Sequence, residues 1–499
     1  MNSVLRSVLS LKGCKSLLEA ANSVTCNTTQ DGRADMTNFE MDLFDARMNS
    51  YSVEKEESEQ CCKHTIIKPA CIPISIISLF IFMIVFFPLF NEDSADATLS
   101  RYERSGFCMD QCSLGIVESI PTNLTYPNFT QTMSTYEAWK SLLDNAAFSI
   151  DLAVFYWNLR DNFRHPTAWQ GQDIFDRIVL AAKRGIRIRI AQNMPSHISN
   201  GSDSEFLASN GYASVRTLNF SSLLGAGVLH TKFWIVDARH VYIGSANMDW
   251  KSLTEVKELG YLISNCTCIA HEFSKIFAVY RRLGVNDAKI PKKWPINLRT
   301  FFNFSHPLDN SPPRFNTKGR ESDDISIVKA MEDAKEFIHV SVMDYLPTTL
   351  YMGKRKNFYW PMFDDAIKSA AYRGITVRLL VGNWSHSKPA MIPFLRSLTV
   401  VNQALPRRFN SSGKIEVKLF TIPSNEEQRK IPFTRVNHNK FMVTDRIAYV
   451  GTSNWAGDYF INTAGVGAAI ILPSVVESLN RIFCRDWYSQ YAVDLEHVK

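Results

Sequence analysis

Two copies of a short pattern, H-x-K-x4-D, lie 208 positions apart in this chain (438 minus 230). The candidate catalytic residues that they supply are His230, Lys232, Asp237, His438, Lys440 and Asp445. Each copy continues into a Gly-Ser/Thr-x-Asn segment, which ends at Asn247 in the first and Asn454 in the second. Together these residues suit chemistry at a phosphodiester. One histidine can attack phosphorus and the other can protonate the leaving oxygen, while Lys232, Lys440 and the two asparagines bind the charged oxygens.

Alternating side chains around each motif predict a β-hairpin. A strand over 228–237 would place His230 and Lys232 on one face, and residues 436–442 show the same period. Asp237 and Asp445 lie five positions after the lysines, an odd spacing that points them off this face, so we expect a structural role for both. The alternative, an ordinary strand with a solvated lysine, fits one copy but not two copies with matching tails.

At these residues the chain resembles the phospholipase D superfamily, which is defined by paired HKD motifs. The likeness covers roughly residues 105 to 495, and is greatest to the animal membrane-anchored, lysosomal group of acid 5′ exonucleases of single-stranded nucleic acid. Four segments carry this closer resemblance: Gly227-Val-Leu-His-Thr-Lys-Phe-Trp, Gly244-Ser-Ala-Asn-Met-Asp-Trp, Arg435-Val-Asn-His-Asn-Lys and Gly451-Thr-Ser-Asn-Trp.

The resemblance implies a phosphohistidine intermediate, with His230 as the expected nucleophile and His438 as the expected proton donor. Two imidazoles at one phosphate titrate as a coupled pair and, with ordinary values near 6.5, suit mildly acidic solution. Glu258 matches the acid that orients a catalytic histidine in this superfamily, although a surface carboxylate is the alternative. The equivalent stretch 460–465 has no acid. This chemistry requires no metal and no cofactor.

Aromatic residues near the motifs have two interpretations. Tyr156, Trp157, Trp250 and Trp455 lie close in sequence to the predicted cleft. Aromatic rings in such a cleft can stack on nucleobases. Packing in the core is the alternative, and the sequence does not separate the two.

The remainder of the chain predicts an α/β fold (mixed α+β) made by duplication. A strand, a helix and a second strand occur in the same order twice, at 147–157, 174–184, 185–191 and again at 335–345, 362–373, 374–381. Each half should form a mixed sheet flanked by helices. Two pseudo-symmetric halves would then bring both motifs to one interface.

An apolar segment before these halves predicts a membrane anchor. Residues 69–90 contain no charged side chain and are about long enough to cross a bilayer of roughly 30 Å as a helix. The expected organisation is a disordered cytosolic tail (1–65), a transmembrane helix (69–90), a stalk (91–105), a first half (106–283), a linker (284–325) and a second half (326–499). Lys63 and Lys68 precede the segment and acids follow it, which favours a cytosolic N-terminus.

Glycosylation sequons and cysteines also favour a luminal domain. The sequons beyond the anchor begin at Asn123, Asn128, Asn200, Asn219, Asn265, Asn303, Asn383 and Asn410. The clustered cysteines downstream of it are Cys108, Cys112, Cys266 and Cys268. A zinc site is the alternative, but C-x-C spacing suits zinc poorly, so we expect disulfides. Spacing leaves their connectivity open, whereas the family resemblance favours bonds from Cys108 and Cys112 across to Cys266 and Cys268.

Two other groups of cysteines receive separate predictions. Cys484 remains unpaired in this scheme, and we interpret it as a buried free thiol. Cys61 and Cys62 lie at the predicted cytosolic edge of the membrane, where palmitoylation is an option. The topology predicts a type II protein of the secretory pathway. The resemblance extends this to the endosomal and lysosomal lumen, with release of a soluble luminal form as an option.

Composition limits the function only weakly. A formal charge of +6 suits an anionic substrate, and 45% hydrophobic residues are ordinary for a globular protein. We expect a 5′→3′ exonuclease of single-stranded DNA or RNA, with phospholipid hydrolysis or transphosphatidylation as the alternative. A non-catalytic membrane-anchored binding protein is disfavoured by intact motifs in both halves. A homodimer is compatible with the sequence.

Overall fold

The computed structural model describes residues 110–127, 129, 131–161, 164–196, 201–300, 308–353, 356–406 and 413–497. All of these residues belong to one compact unit. The predicted tail, transmembrane helix and stalk therefore lie outside the described residues. Among the described residues, no helix combines the length and apolarity that crossing a membrane would need.

The first half begins with a long strand and ends with a long helix. Its strands are β1 (Ser113–Ser119), β2 (Met133–Ser134), β3 (Ser149–Val154), β4 (Trp157–Asn158), β5 (Arg187–Asn193), β6 (Ser214–Leu218), β7 (Phe233–Val236), β8 (His240–Gly244), β9 (Met248–Asp249) and β10 (Glu258–Ser264). Its helices are α1 (Thr135–Asn145), α2 (Trp169–Lys183), α3 (Ser202–Ser209), α4 (Phe220–Leu224), α5 (Lys251–Thr254) and α6 (Thr267–Leu283).

The second half repeats this order. Its strands are β11 (Leu308–Ser311), β12 (Glu321–Ser322), β13 (Phe337–Val342), β14 (Tyr345–Leu346), β15 (Thr376–Gly382), β16 (Lys414–Phe420), β17 (Lys440–Thr444), β18 (Ala448–Gly451), β19 (Trp455–Ala456), β20 (Gly465–Ile470) and β21 (Ala492–Asp494). Its helices are α7 (Asp323–Asp333), α8 (Met362–Tyr372), α9 (Met391–Val400), α10 (Glu426–Lys430), α11 (Asp458–Ile461) and α12 (Pro473–Trp487).

The two large sheets share one topology, to which the second adds the edge strand β21. Strands run β2-β1-β10-β8-β7-β3-β5-β6 in the first and β12-β11-β20-β18-β17-β13-β15-β16-β21 in the second. In both, the central strand pairs parallel with the strand that follows the crossover helix and antiparallel with the motif strand. The prediction of a mixed α/β fold with two sheet-containing halves is confirmed.

Each crossover follows from a matching local sequence. Helix α2 buries Ile174, Ile178 and Ala181, which the helical period brings to one face. Gly185 and Gly374 follow α2 and α8 at φ of +87° and +99°, a conformation that glycine adopts at no steric cost. The chain therefore turns at the same point in both halves and enters β5 or β15.

The inner faces of the two sheets share a hydrophobic core. Phe233 and Tyr261 of the first sheet belong to the same buried cluster as Phe441 and Val466 of the second. Helices α6 and α12 add Phe273 and other apolar residues to this cluster. The halves are therefore held together by a continuous apolar interior, and each outer face has a core of its own.

A buried ionic network also joins the halves beside the site. Lys257 is fully buried, with Nζ 2.8 Å from Asp486 Oδ2 and 3.3 Å from Glu118 Oε1. Arg485 lies 2.7 Å from the same Glu118 oxygen. Since a buried lysine is tolerated when carboxylates surround it, this network fixes the backbone of Lys257, which precedes Glu258.

The second sheet begins earlier than the sequence predicts. Strands β11 and β12 and the start of α7 fall inside the range 284–325, which we expected to be a linker. These elements were not predicted because the segment is polar and rich in proline. Strand β11, for example, has only four residues, Leu-Asp-Asn-Ser, which lack the apolar alternation that indicates a strand.

Candidate active site

Each motif histidine lies in a segment that leaves its own sheet and pairs with the other half. Leu229 forms a parallel bridge with Ala464, and Asn437 forms the corresponding bridge with Lys257. The His230 N–H donates to the carbonyl of Ala464 at 2.9 Å. The prediction that strands carry the histidines is therefore wrong, because β7 begins only at Phe233 and β17 at Lys440. Pairing between the halves supplies the extended geometry instead.

The two motifs meet at one cleft between the halves. The cleft has a volume of about 290 Å³. Of the predicted site residues, those that line it are His230, His438, Asn247, Asn454 and Glu258. The duplication predicts this convergence, and the bridges described above bring it about.

His230 is fixed by a neutral partner. Its Nδ1 lies 2.8 Å from the main-chain oxygen of Thr452, so Nδ1 carries the proton and the neutral ring keeps a lone pair on Nε2. Phe155 and Tyr459 pack against the ring, with centroids 4.9 and 5.0 Å away. Burial lowers the pKa of His230 well below its ordinary value, and the Lys232 charge adds to this effect. The ring is therefore suited to act as a nucleophile.

His438 is fixed by a charged partner. Its Nδ1 lies 2.7 Å from Glu258 Oε2, and the hydroxyl of Ser252 donates to the other carboxylate oxygen at 2.8 Å. Burial alone would raise the pKa of Glu258, but the His438 charge and the hydrogen bond outweigh it and hold that pKa below its ordinary range. Burial lowers the pKa of His438, and Glu258 opposes this shift. The carboxylate therefore favours the imidazolium, which is the form of a proton donor.

The motif lysines lie buried beside their histidines. Lys232 Nζ donates to the main-chain oxygen of His230, and Lys440 Nζ donates to that of His438 at 2.6 Å. Burial lowers the pKa of Lys440 to about 7, although Glu258 opposes the shift. Burial also lowers the pKa of Lys232 well below its ordinary value. A bound anion would favour the charged forms of both lysines, so the pair makes this a site for an anion.

The motif asparagines have hydrogen-bonding capacity to spare. Asn247 and Asn454 are buried, and the side-chain oxygen of each has no partner among the described residues. The Asn454 amide donates to the Tyr459 hydroxyl at 3.0 Å. Both asparagines line the cleft, which fits the predicted role in binding phosphate.

The motif aspartates, Asp237 and Asp445, were predicted among the catalytic residues, but the structure gives them a structural role. Asp237 accepts hydrogen bonds of 2.7–2.8 Å from the backbone N–H groups of residues 147–149 at the start of β3. Asp445 accepts from Lys335 and Glu336 before β13 at 3.0 and 3.1 Å. Both lie at the ends of their strands remote from the cleft, as their odd spacing from the lysines implies.

Replacement of Asp237 with alanine should therefore cost stability and spare catalysis. The change removes the acceptor of three N–H groups, so we expect a loss of about 1–3 kcal/mol in the free energy of unfolding. Urea titration and kcat of the folded enzyme measure the two effects, with Asp237→Asn as the milder variant. A hundredfold fall in kcat with unchanged stability would contradict this role.

Replacement of Glu258 with glutamine should move the pH profile. The change removes the charge that opposes the lowering of the His438 pKa, so that pKa falls further. Because the donor must be protonated, kcat/KM should decline at a lower pH than in the wild type, as a pH titration would show. Glu416→Gln is the control, since Glu416 pairs with Arg378 outside the cleft. An unchanged profile would remove Glu258 from this role.

The structure settles most of the aromatic assignments as core. Trp250 and Trp455 are buried, and Trp455 packs against Phe363. Trp157 is also buried although it lines the cleft, as does Tyr156, whose hydroxyl donates to Asp249. A stacking role for Trp250 and Trp455 is therefore wrong.

Sequence reasoning missed several residues of the cleft. Phe155 and Tyr459 flank His230, and Trp384 and Phe433 also line the cleft. Phe155 could have been found, because it directly follows the predicted buried strand β3, which pairs with the motif strand β7. Phe433 lies in an irregular segment before the second motif and carries no pattern.

The cysteines join the start of the described chain to α6. Cys112 forms a disulfide with Cys266, and Cys268 is also disulfide-bonded. Cys108 lies outside the described residues, so its bond remains a prediction. Cys484 is free but only half-buried, in contrast to the buried thiol that we expected.

The predicted sequons fall into three groups. Asn123, Asn219 and Asn265 are exposed. Asn383 is half-buried, and its amide donates to Thr421 Oγ1 at 3.0 Å. The others lie outside the described residues: Asn128, Asn200, Asn303 and Asn410.

Comparison with known proteins gives consistent results. A family model described as "PLD3/4, PLD-like domain" matches residues 127–425. The chain is 47% identical to probable phospholipase D F09G2.8 of Caenorhabditis elegans, over 94% of this chain and 89% of that protein. It is 41% identical to human 5'-3' exonuclease PLD3, over 79% of this chain and 83% of that protein. The solved structure of phosphatidylserine synthase from Haemophilus influenzae is 13% identical, with a TM-score of 0.49, and the match covers 72% of this chain and 85% of that one. This similarity is too distant to support an argument.

Proposed function

The chain belongs to the PLD3/4 family of phospholipase D-like proteins, and from this membership we propose that it is a 5′→3′ exonuclease of single-stranded nucleic acid. It is a hydrolase of phosphodiesters. The 5′→3′ polarity and the nucleic-acid substrate are those in the names of relatives about 41% identical over most of both chains.

One observation carries the assignment of roles, namely that the two histidines have different partners. A neutral carbonyl holds His230, whereas a carboxylate holds His438. In the first step, His230 Nε2 attacks phosphorus and forms an N–P bond while the P–O bond to the leaving nucleotide breaks. His438 gives its proton to that oxygen.

In the second step, neutral His438 takes a proton from water as the water oxygen attacks phosphorus. The N–P bond then breaks and His230 is restored. Lys232, Lys440 and the two asparagines bind the nonbridging oxygens in both steps. These side chains supply nucleophile, acid, base and counter-charge, so the proposed reaction needs no metal.

An acidic medium suits a mechanism in which His230 is the nucleophile and His438 is the proton donor. Burial holds the pKa of both histidines below the ordinary value, so the protonated form of His438 is present at low pH and is lost as pH rises. Lys440, with a pKa of about 7, also loses charge near neutral pH. Activity should therefore be greatest below neutral pH and decline above it.

The protein, purified at its full length, should shorten end-labelled single-stranded DNA stepwise from a free 5′ end at pH 5 in the presence of EDTA. Blocking the 5′ end should stop digestion, and blocking the 3′ end should not. Intact DNA with a folded protein would overturn the nucleic-acid assignment. Release of a phospholipid headgroup by the same sample would then favour the lipid alternative.

We also propose that the catalytic halves lie in the lumen of the endosomal and lysosomal system, anchored by residues 69–90. The disulfide between Cys112 and Cys266 supports an oxidising compartment, as do the exposed sequon asparagines. Endoglycosidase treatment should lower the apparent mass of protein from cells. A mass that does not change would contradict a luminal location.

A further inference from the structure

An aromatic surface stands at the mouth of the catalytic cleft and is not used by the two-histidine chemistry. It consists of Trp384, His386 and Phe433, which we call the aromatic rim. His386 and Phe433 are stacked with centroids 4.8 Å apart at 21°, and Trp384 packs edge-on against His386 at 4.7 Å. Phe433 is 45% exposed, which is unusual for a phenylalanine whose ring has a preformed stacking partner.

The rim connects two cavities. Trp384 and Phe433 line the catalytic cleft, and they also line a neighbouring cavity of about 530 Å³. Arg429 and Lys430 line this second cavity, so it is basic as well as aromatic. A chain that leaves the scissile phosphate towards this side therefore meets flat rings first and cations beyond them.

Two further features of the rim point to a ligand. The indole N–H of Trp384 is buried but has no hydrogen-bond partner among the described residues, so a donor remains open at this wall. Phe433 has a φ of +59°, a conformation that costs energy for a bulky residue. Lys251 of the first half donates to the carbonyl of Pro432 at 3.3 Å and helps to hold this backbone.

We propose that the aromatic rim binds the nucleobase of the second nucleotide, the one on the leaving side of the scissile phosphate. Phe433 stacks on the base, with His386 supporting it from behind, and the Trp384 N–H donates to an oxygen of the same nucleotide. The following phosphate enters the basic second cavity. This inference rests on the proposed nucleic-acid function and assigns the residues that select single-stranded substrate, because the faces of a base inside a duplex are already covered by neighbouring bases.

The test pairs rim variants with a substrate that lacks the second base. Phe433→Ala should raise KM for a single-stranded oligonucleotide on the order of tenfold, and Phe433→Tyr should restore it, since stacking on an aromatic ring is largely tolerant of substituents. Phe433→Leu, which keeps apolar bulk without a flat face, should behave like Phe433→Ala. Phe148→Ala is the matched control, because Phe148 is 78% exposed but lies directly before β3 and does not line the cleft.

The abasic substrate separates stacking from a general loss of structure. Wild-type enzyme should show the same increase in KM when the second nucleotide is abasic, and Phe433→Ala should then cause no further change. Trp384→Phe should weaken binding of both substrates, since it keeps an aromatic ring but removes the indole N–H. Equal losses for Phe433→Ala with both substrates would overturn the inference. A change in KM caused by Asn383→Gln, with no change caused by Phe433→Ala, would also overturn it, since it would indicate that a glycan on Asn383 occupies the second cavity. Failure of wild-type enzyme to cut DNA at all would count against the proposed function and not against the rim alone.

Discussion

Replacement of His230 with alanine is expected to abolish turnover of single-stranded DNA, with a loss of roughly 10⁴-fold or more in kcat. Among the described residues of the cleft, His230 is the histidine whose ring is held by a main-chain carbonyl. Its neutral imidazole supplies the lone pair that attacks phosphorus. Without it no N–P bond forms, and water must attack the diester directly. Single-turnover assays at pH 5 measure the effect.

A second histidine outside the cleft provides the control for this variant. His240 begins β8, is half-buried near Asp237 and does not line the cleft, so His240→Ala should retain activity close to that of the wild type. Thermal unfolding of His230→Ala should confirm that the protein remains folded. Residual activity within tenfold of the wild type would exclude His230 as the nucleophile.

Replacement of His438 with alanine should have an effect that depends on the leaving group. For DNA, whose leaving alkoxide needs a proton, we expect a loss of about 10²–10⁴-fold, the usual contribution of a general acid. For a nucleotide ester of 4-nitrophenol, the leaving phenolate needs little protonation, so the first step should proceed far faster than with DNA. The second step should remain slow, because no base activates water.

With this ester, His438→Ala should release a burst of 4-nitrophenol, about one equivalent per enzyme, and then turn over slowly. His230→Ala should give no burst with the same ester, which distinguishes the two histidines by role and not merely by importance. Equal losses of His438→Ala on both substrates would mean that His438 does not protonate the leaving group. A burst from His230→Ala would reverse the assignment.

The residue types at the motifs were sufficient to predict that the two histidines and the two asparagines share one cleft. His230 and His438 are brought together by a duplication that is visible in the sequence as repeated Arg-Gly-Ile turns before β5 and β15. The spacing also predicted the position of Asp237, because an odd number of residues from Lys232 reverses the direction of a side chain along an extended segment.

The sequence marked Glu258 as an acid that orients a catalytic histidine, and Glu258 does hold His438. It could not predict which histidine Glu258 supports or what holds the other one, because the supporting groups lie in the opposite half. Glu258 follows Lys257, whose backbone pairs with the segment of His438, 180 residues away. In the second half, Gly465 occupies the position of Glu258, and a side chain there would meet Ser453 Oγ at 2.1 Å. His230 accordingly depends on a main-chain oxygen, which no sequence pattern marks.

The aromatic residues failed as predictors for a related reason. Closeness to a motif in sequence placed Trp250 and Trp455 near the cleft, but their large apolar surfaces are buried in the core. Phe433 was passed over because nothing in its irregular segment indicates a face. Its exposure is a consequence of tertiary contacts, including Arg435 with Glu255 of the other half at 3.3 Å.

Trapping the intermediate tests the central claim most directly. The His438→Ala enzyme would be mixed with the 4-nitrophenyl nucleotide ester, quenched without acid to preserve the N–P bond, digested, and analysed by mass spectrometry. A nucleotide-phosphoryl adduct on the peptide containing His230, absent after His230→Ala, is the result that we predict. An adduct on any other residue, or a burst of phenol with no adduct, would contradict nucleophilic catalysis by His230.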